Sequence, residues 1–466
     1  MNAPETEIRQ AIHDPRLQLA IYTATGRLID HRAGVVGSDA LPDYQALRSE
    51  ANAIKKHTIE NLDYYLEHLE ANVIAHGGQV VFCRTGQEAA DFVLDLAKKR
   101  GVHTLVKSKS MTSEEIGFNE RLEAHELEAV ETDLGEYILQ LAHQRPYHIV
   151  APALHLTRYD VADVFTKELG IPNEVVIEKQ TKIARGVLRR KFLEAGIGVS
   201  GANFLVADSG AVVLVENEGN ARLSTSAPKI HIAIAGIEKV IPRAQDLAVF
   251  LNLLGRSATG QPLTVYTSFL SGPRRENEID GPEEFYLLLL DNGRTKLLAD
   301  PEKRQSLYCI RCGACLNHCP VYRKIGGHNY PWVYSGPIGA IITPQFHGVT
   351  AGTWLPFASS LCGACAEVCP VKIEIPKILL QLRAEVTEAK RREGQDSLER
   401  FGFQLFAWMA THPKIYLWLA RLGSIFYPLI PKTGPLKKWS SERSLPEPAK
   451  QSFHQWWQER QKRVRK

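Results

Sequence analysis

The sequence lacks several features that would assign a protein to a class at once. Its 466 residues contain no run of 18 or more uncharged apolar residues, so an integral membrane protein is not expected. The N-terminal segment is polar and carries acids, which argues against a secretory signal or transit peptide and favours a soluble, cytoplasmic protein. Neither a G-x-x-x-x-G-K-[ST] loop nor a G-x-G-x-x-G turn after a first strand occurs, so a P-loop and a Rossmann dinucleotide site are unsupported.

The sequence also has little net charge, at +4, but its charge is unevenly distributed. Residues 431–466 contain ten lysines and arginines against three acids. Apolar residues make up 44% and charged residues 23%, as in globular proteins, and the length corresponds to about three domains of ~150 residues each. No nucleic-acid-binding module accompanies the basic segment, so nucleic acid is not expected as a partner.

Cysteine is scarce as well, yet seven of the eight cysteines lie between Cys309 and Cys369. The first group, CIRCGACLNHCP, begins at Cys309 and has the C-x2-C-x2-C-x3-C-P spacing of ligands to a [4Fe–4S] cluster in bacterial ferredoxins. Gly313 allows the backbone to pass close to such a cluster. Cys319, one helical turn after the third cysteine, points away from the first three and towards a second cluster.

The second group, SSLCGACAEVCP, begins at Ser359, where the first group has its first cysteine. In two-cluster proteins the last cysteine of each group binds the other cluster. The predicted ligands are Cys309, Cys312, Cys315 and Cys369 for cluster 1, and Cys319, Cys362 and Cys365 for cluster 2. The remaining iron of cluster 2 binds Ser359 oxygen, binds another ligand, or is lost to leave [3Fe–4S]; a labile or non-cysteine-ligated [4Fe–4S] cluster is the favoured outcome.

Zinc is the main alternative occupant of these cysteines. A structural zinc ion takes four ligands, usually in C-x2-C pairs, and has no use for seven cysteines in two proline-terminated groups. Clustered cysteines in an intracellular protein indicate metal binding rather than disulfides. Two [4Fe–4S] clusters are therefore the expected cofactors.

The region before the cysteines alternates strand and helix patterns. A helix over Thr85–Arg100, with a threonine cap and a stop at Gly101, follows the first strand. Apolar runs predict strands at Gln79–Cys83, His103–Lys107, Glu128–Thr132, His148–Ala151, Phe204–Ala207, Val212–Glu216 and His231–Ala235. This order predicts an α/β domain with a parallel sheet covered by helices.

Glu216 and Glu218 end one of these strands in a polar, glycine-containing turn. Sheets of α/β proteins place their chemistry at such ends, so both carboxylates are candidate catalytic groups. A solvated hairpin tip explains them equally well.

Two segments of this domain resemble a known family. KSKSMTSEEIGFNERLEAHELEAVETDLGEYILQLA, from Lys107, and GVSGANFLVADSGAVVLVENEGNARLSTSAPKIHIAI, from Gly198, resemble the lactate-utilization (LUD) domain. The cysteine groups and the C-terminal extension resemble the iron–sulfur proteins of that system, the lactate utilization protein B (LutB) family. The resemblance implies a NagB/RpiA/CoA-transferase-like fold and makes the seven clustered cysteines the cluster ligands, but it assigns no catalytic residue.

Four parts are expected along the chain. The long spacer between the cysteine groups and the helical Ile375–Arg392 favour an α-helical two-cluster ferredoxin-type domain rather than a ferredoxin hairpin. The parts are an N-terminal helical segment (1–66), the LUD α/β domain (67–298), the cluster domain (299–395) and a helical, basic C-terminal extension (396–466).

The resemblance implies a role in growth on L-lactate, which is oxidised to pyruvate with two companion proteins. Under the first hypothesis the chain is the electron-transfer subunit, and its two clusters relay electrons to a quinone or other carrier. Under the second, the LUD domain is itself catalytic on a hydroxy acid or CoA thioester, with Glu216 or Glu218 as nucleophile or base. A third possibility is a scaffold that docks partners, and whether the chain is an enzyme on its own stays open.

The C-terminal extension raises the question of location. Apolar positions over Phe403–Leu422, interrupted at Pro413, precede the basic segment, which also carries Trp439, Trp456 and Trp457. Such a combination suits peripheral contact with the inner face of an anionic membrane, or an acidic partner. A helix pair packed on the cluster domain, followed by a solvated tail, is the alternative.

Overall fold

The computed structural model describes residues 4–37, 39–394, 397–427, 447–449 and 451–464. Internal contacts divide the chain into two units, residues 1–386 and 387–466. The first unit begins with four helices. The longest of them is capped by Asp14, whose carboxylate accepts hydrogen bonds from the N–H groups of Arg16 and Leu17. They are α1 (Glu5–His13), α2 (Pro15–Val36), α3 (Tyr44–Glu60) and α4 (Leu62–Ala75).

The α/β domain is built on two sheets. Its strands are β1 (Gln79–Cys83), β2 (Thr104–Lys107), β3 (Glu128–Glu131), β4 (Ile197–Ser200), β5 (Phe204–Val206), β6 (Ala211–Glu216), β7 (Ile230–Gly236), β8 (Val240–Ile241), β9 (Tyr266–Leu270) and β10 (Glu284–Leu290). The larger sheet has the order β1-β10-β7-β4-β2-β3 and is parallel throughout, which confirms the predicted parallel α/β sheet. The smaller has the order β8-β5-β6-β9 and is antiparallel except between β5 and β8.

Helices lie between and after these strands. They are α5 (Gly86–Arg100), α6 (Met111–Glu115), α7 (Phe118–Glu123), α8 (Leu134–Leu141), α9 (Arg158–Leu169), α10 (Ile177–Glu194), α11 (Asn220–Ser226), α12 (Leu247–Ala258) and α13 (Arg294–Leu298). The predicted ends of α5 are confirmed, since Thr85 Oγ1 caps its first turn and Gly101 ends it in the left-handed conformation.

Both faces of the central strands of the larger sheet are buried, as is usual for a parallel sheet. On one face, Ile232 and Leu288 pack with Val93 of α5. On the other, Ala233 and Leu287 belong to a core shared with α4 and with the smaller sheet. The central strand β7 is buried at every position for this reason.

The predicted strand at His148–Ala151 is wrong. These residues form a bend, because the Nδ1 atom of His148 accepts N–H bonds from Val150 (3.1 Å) and Ala151 (3.2 Å) and so pulls the backbone around its own ring. A buried apolar run bounded by prolines gives the same sequence pattern as a short strand.

The cysteine region is helical, as predicted, with no strand among its described residues 299–394. Its helices are α14 (Ala314–Asn317), α15 (Tyr322–Ile325), α16 (Gly336–His347), α17 (Ala364–Glu367) and α18 (Ile375–Arg392), the last of which continues into the second unit. Leu316 and Ile341 of this region share one core with Ile21 and Ala51 of the N-terminal helices and with Phe250 of α12. The cysteine region therefore has no separate core of its own.

The second unit is helical, which confirms the expected helical C-terminal region. It contains α19 (Ser397–Ala410), α20 (Pro413–Phe426) and α21 (Phe453–Val464). Several large apolar side chains are exposed, among them Phe403, Trp408 and Trp418. Trp439 and most of the basic segment lie outside the described residues.

Candidate iron–sulfur centre and adjoining pocket

The first cysteine group forms a tight loop followed by a single helical turn. Arg311 and Gly313 both adopt positive φ, at +59° and +73°, which turns the chain before α14 begins. The N–H of Arg311 points at Cys309 Sγ at 3.4 Å. A methyl group at Gly313 would lie 3.1 Å from Val150, so the backbone runs directly against the α/β domain here.

The second group repeats this backbone conformation. Leu361 and Gly363 have φ values of +55° and +86°, and α17 follows as α14 does in the first group. The N–H of Leu361 donates to Ser359 Oγ at 3.1 Å, just as that of Arg311 points at Cys309 Sγ. Ser359 therefore occupies the same local position as Cys309, with oxygen in place of sulfur.

Four of the predicted cysteines line one cavity of about 20 Å³. Three come from the first group and the fourth ends the second group; they are Cys309, Cys312, Cys315 and Cys369. The remaining wall is formed largely by aliphatic side chains, those of Ile149, Ile310, Ile338, Val371, Ile373 and Ile375. This set of four cysteine donors in a largely aliphatic wall fits a [4Fe–4S] cluster.

The pKa shifts of these cysteines also fit an iron–sulfur cluster in this cavity. Burial raises the pKa of Cys315 well above its ordinary value, and the charges of Cys312, Cys309 and Cys369 raise it further. Burial and the charge of Cys369 likewise raise the pKa of Cys312. Several thiolates can coexist so close together only with a compensating positive charge, which iron would supply.

The other three cysteines form a second set nearer the surface. Burial, Cys319 and Cys362 together raise the pKa of Cys365 to about 12, so the three side chains interact. Cys362 itself is exposed, and the N–H of Ala364 and the Ser360 hydroxyl lower its pKa. The exposed Cys362 thus gives the second set an edge to solvent, whereas the cysteines of the first set are buried or partly buried.

Zinc and a [4Fe–4S] cluster place different demands on the geometry of cysteine ligands. Among the described residues, no group of three or more His, Cys, Asp or Glu side chains is placed to hold a single metal ion. Each cysteine of a [4Fe–4S] cluster binds a different iron, so its sulfurs need not converge on one point as zinc ligands do.

The N-terminal helices brace the second cysteine group, and no sequence pattern predicted this contact. Arg48 on α3 donates to the carbonyls of Cys369 (2.9 Å) and Ala366 (3.1 Å), and Asn52 donates to Val371 (2.8 Å). The first group is braced from the α/β domain. His148, whose Nδ1 is an acceptor, bonds through Nε2 to the Asn317 side chain at 3.1 Å.

Comparison with known proteins agrees with this division. Residues 66–290 match the LUD domain, residues 305–373 match the 4Fe-4S dicluster domain, and residues 381–462 match the family described as lactate utilisation protein B, C-terminal. Proteins called lactate utilization protein B from Bacillus cytotoxicus, Bacillus thuringiensis and Bacillus anthracis are each 44% identical over 467 residues, which cover 98% of this chain and 96% of theirs. The chain belongs to the lactate utilization protein B family.

A solved structure also matches, at a low score. It is a DUF162 family protein from Deinococcus radiodurans, 10% identical, with a TM-score of 0.28 over 49% of this chain and 98% of the other. A score this low carries no argument about fold or function. None of the described helices is both long enough and apolar enough to cross a membrane.

In this member of the lactate utilization protein B family, a buried charge network lies beside the first cysteine group. Arg294 donates to both oxygens of Glu115 at 2.8 Å and to Glu238 through Nε, and Glu238 also lies 3.6 Å from Arg311. Burial raises the pKa of Glu238, but Arg294 and Arg311 outweigh it and hold that pKa at about 2. Tyr334 packs under the Arg311 guanidinium, 4.6 Å from the ring centre, so the cation is held on two sides.

A pocket of about 300 Å³ adjoins the same group. Arg311 and Ile149 line both this pocket and the cysteine cavity, so the two spaces share a wall. Lys239 also lines the pocket, as do the two carboxylates proposed from the sequence, Glu216 and Glu218. The pocket therefore connects the polar end of the smaller sheet with the cysteines.

Glu216 and Glu218 differ in the hydrogen bonds that their carboxylates make in this pocket. Glu216 caps α11, since its two oxygens accept the N–H groups of Ala221 and Arg222, each at 2.8 Å. Glu218 accepts a single bond from the Leu134 N–H at 3.2 Å. Burial of its carboxyl against the pocket wall and the charge of Asp133 raise the pKa of Glu218, although part of the residue stays in solvent. Of the two, Glu218 is the one with a carboxyl group free for chemistry.

Proposed function

We propose that this chain is the iron–sulfur electron-transfer subunit of a system that oxidises L-lactate to pyruvate. Oxidising lactate removes two electrons and two protons, from the C–H and O–H of the carbinol carbon. A [4Fe–4S] cluster accepts and releases one electron at a time, so two clusters accommodate the pair. The observation that carries the proposal is the position of the two cysteine sets, one around a cavity beside a polar pocket and the other reaching the surface at Cys362.

The cysteines divide between the two clusters as follows in this proposal. Cluster 1 is held by Cys309, Cys312, Cys315 and Cys369, and cluster 2 by Cys319, Cys362 and Cys365. The shared cavity of the first four and the mutual electrostatic effects of the last three support this pairing. The equivalent backbone positions of Ser359 and Cys309 make Ser359 Oγ our candidate ligand for the fourth iron of cluster 2, which we expect to be labile.

The surrounding residues adjust the two sites differently. Aliphatic side chains line the cavity of the first set, while Arg311 and Lys239 place positive charge near Cys309. Positive charge favours the reduced form of a cluster, so these residues raise the reduction potential of cluster 1. The exposed Cys362 brings the second set within reach of a companion subunit, a quinone or another carrier.

Iron analysis of the anaerobically purified chain tests the proposal. Cys312→Ala should lose the visible absorbance and EPR signal of one cluster and abolish lactate-dependent reduction of the chain in the assembled complex. Cys83→Ala is the matched control, because Cys83 is also buried but lies on β1, outside both cysteine groups. Normal reduction by lactate in Cys312→Ala would contradict the proposal.

A second candidate function places lactate or a CoA thioester on the LUD domain itself. The observation in its favour is Glu218, whose carboxyl has a raised pKa and lines a pocket of about 300 Å³. The isolated holoprotein would then oxidise lactate with an artificial electron acceptor and without companion subunits. Turnover that appears only when the companions are added supports the electron-transfer proposal instead.

We also propose that the C-terminal extension contacts an anionic membrane surface. Trp418, Trp456 and Trp457 are exposed, and α21 carries Lys462 and Arg463 in its last turn. Exposed aromatic residues beside basic ones suit the interface of an anionic bilayer. The full chain should sediment with phosphatidylglycerol vesicles at low salt and lose binding when 431–466 is deleted. Failure to sediment at low salt would dismiss membrane contact.

A further inference from the structure

The pocket beside the first cysteine group is of a size for a small molecule. Its volume of about 300 Å³ equals that of roughly ten water molecules and lies at the lower end of the range for ligand sites. A dinucleotide or a whole CoA thioester would not be enclosed by it. Asn203, Asn217 and Asn220 line it and supply neutral hydrogen-bonding groups.

Two cations line the pocket without a complete set of partners. Lys239 is 8% exposed, and its ammonium makes no hydrogen bond or ion pair with any residue that the structure describes. Arg311 has a side chain 9% exposed, and its Nη1 is buried without a hydrogen-bond partner. Burying such groups unpaired is costly, so their presence in a cavity wall points to an anion that completes them.

Other buried cations of the chain show what complete pairing is like. Lys107 bonds to Glu114 at 2.8 Å and to Glu131 at 2.6 Å. Lys55 donates to two backbone carbonyls, and Arg294 is shared between two carboxylates. Lys239 and Arg311 therefore stand apart from these three, and both of them line the one pocket.

Negative charge is found elsewhere in the pocket. Asp133, Glu216 and Glu218 line it, and they would repel a second carboxylate on any ligand bound at Lys239. The third cation of the lining, Lys109, already donates to a backbone carbonyl at 2.7 Å. The arrangement favours an anion with one carboxylate and a neutral polar group over a dicarboxylate. A short 2-hydroxy or 2-oxo acid has this chemistry.

We propose that this pocket binds a small 2-hydroxy or 2-oxo monocarboxylate, whose carboxylate pairs with Lys239 and Arg311 beside cluster 1. The identity of the acid rests on the proposed function, whereas the charge pattern of the site does not. Such a site would place the acid next to the cysteines of cluster 1. It makes this chain a contributor to substrate or product binding in the complex.

Calorimetric titration of the anaerobic holoprotein with L-lactate, pyruvate and malonate tests the site. We expect one molecule of lactate or pyruvate to bind per chain and malonate to bind much more weakly. Lys239→Met should weaken binding at least about 30-fold, because it removes one partner of a buried charge pair. Lys229→Met is the matched control and should leave affinity unchanged, since Lys229 is a surface lysine with a 77% exposed side chain.

The outcomes separate this proposal from the proposed function. Lack of binding by every monocarboxylate, or equal affinity of Lys239→Met and the wild type, overturns the site even if both clusters are present and lactate reduces the complex. Should Lys239→Met lose iron, Thr259→Phe provides a second variant, which fills the pocket from α12's end without removing a charge. Unchanged binding in Thr259→Phe would also overturn the proposal, and iron-free wild-type protein would overturn the proposed function instead.

Discussion

Replacing Arg294 with methionine should destabilise the first unit by about 3 kcal/mol at neutral pH. Arg294 is fully buried and is shared by Glu115 and Glu238, whose side chains are also buried. Methionine fills most of the same space but leaves two buried carboxylates without their common cation. Removing one partner of a buried ion pair costs about 3–5 kcal/mol.

The lower end of that range applies because the carboxylates keep other partners. Tyr334 and Asn292 still donate to Glu115 at 2.7 and 2.8 Å, and Arg311 stays 3.6 Å from Glu238. With an unfolding entropy of about 2.1 cal/mol/K per residue over residues 1–386, a loss of 3 kcal/mol lowers the unfolding midpoint by roughly 4 °C.

Anaerobic scanning fluorimetry at one fixed heating rate measures this shift, because unfolding that releases clusters is not reversible. Arg100→Met is the control. Arg100 forms a 2.8 Å ion pair with Glu284, but its side chain is 49% exposed and the pair is screened by water, so its loss should leave the unfolding midpoint nearly unchanged. An Arg294→Met midpoint within 1 °C of the wild type, as a rough limit, or a larger shift in Arg100→Met would refute the reasoning.

Three further predictions concern the cysteine groups and one buried histidine. Gly313→Ala should reduce the iron content per chain more than Gly363→Ala. Both residues have positive φ, but a methyl group at Gly313 would meet atoms at 3.1 Å, whereas one at Gly363 would have no neighbour within 4 Å. Equal iron contents of the two variants would contradict this. Ser359→Cys should lengthen the half-life of the visible absorbance in air by giving cluster 2 a fourth thiolate, and an unchanged half-life would count against Ser359 as its ligand position. His231 has a pKa that burial lowers to about 3, so it stays neutral in the folded chain while an unfolded histidine takes up a proton below about pH 6.5. Protonation of this residue in the unfolded chain should therefore lower the free energy of unfolding by up to about 1.4 kcal/mol for each pH unit below 6.5. The unfolding midpoint of His231→Gln should fall less than that of the wild type between pH 6.5 and 5.5.

The sequence predicted those elements whose periodicity was strong and whose ends were marked. The helix that follows Thr85 and the helix over Ile375–Arg392 are where their patterns placed them. The strand at Glu284–Leu290 went unpredicted although it is apolar, because a short continuous apolar run does not distinguish a buried strand from a buried helix.

For the site, cysteine spacing was informative because the ligands of one cluster come from short loops with fixed gaps. The groups that surround them could not be found in that way. Arg48 lies 321 residues before Cys369, whose carbonyl it binds, and no local pattern marks it. Lys239 follows a buried strand and resembles any surface lysine until the fold places it against the first cysteine group.

Rapid-freeze EPR of the anaerobic chain, mixed with its companion subunits and L-lactate, tests the central claim most directly. We predict that signals of reduced iron–sulfur clusters develop at the rate of pyruvate formation, and that Cys312→Ala, but not Cys83→Ala, removes one of them. Pyruvate formation at the normal rate with the clusters of this chain remaining oxidised would contradict the account.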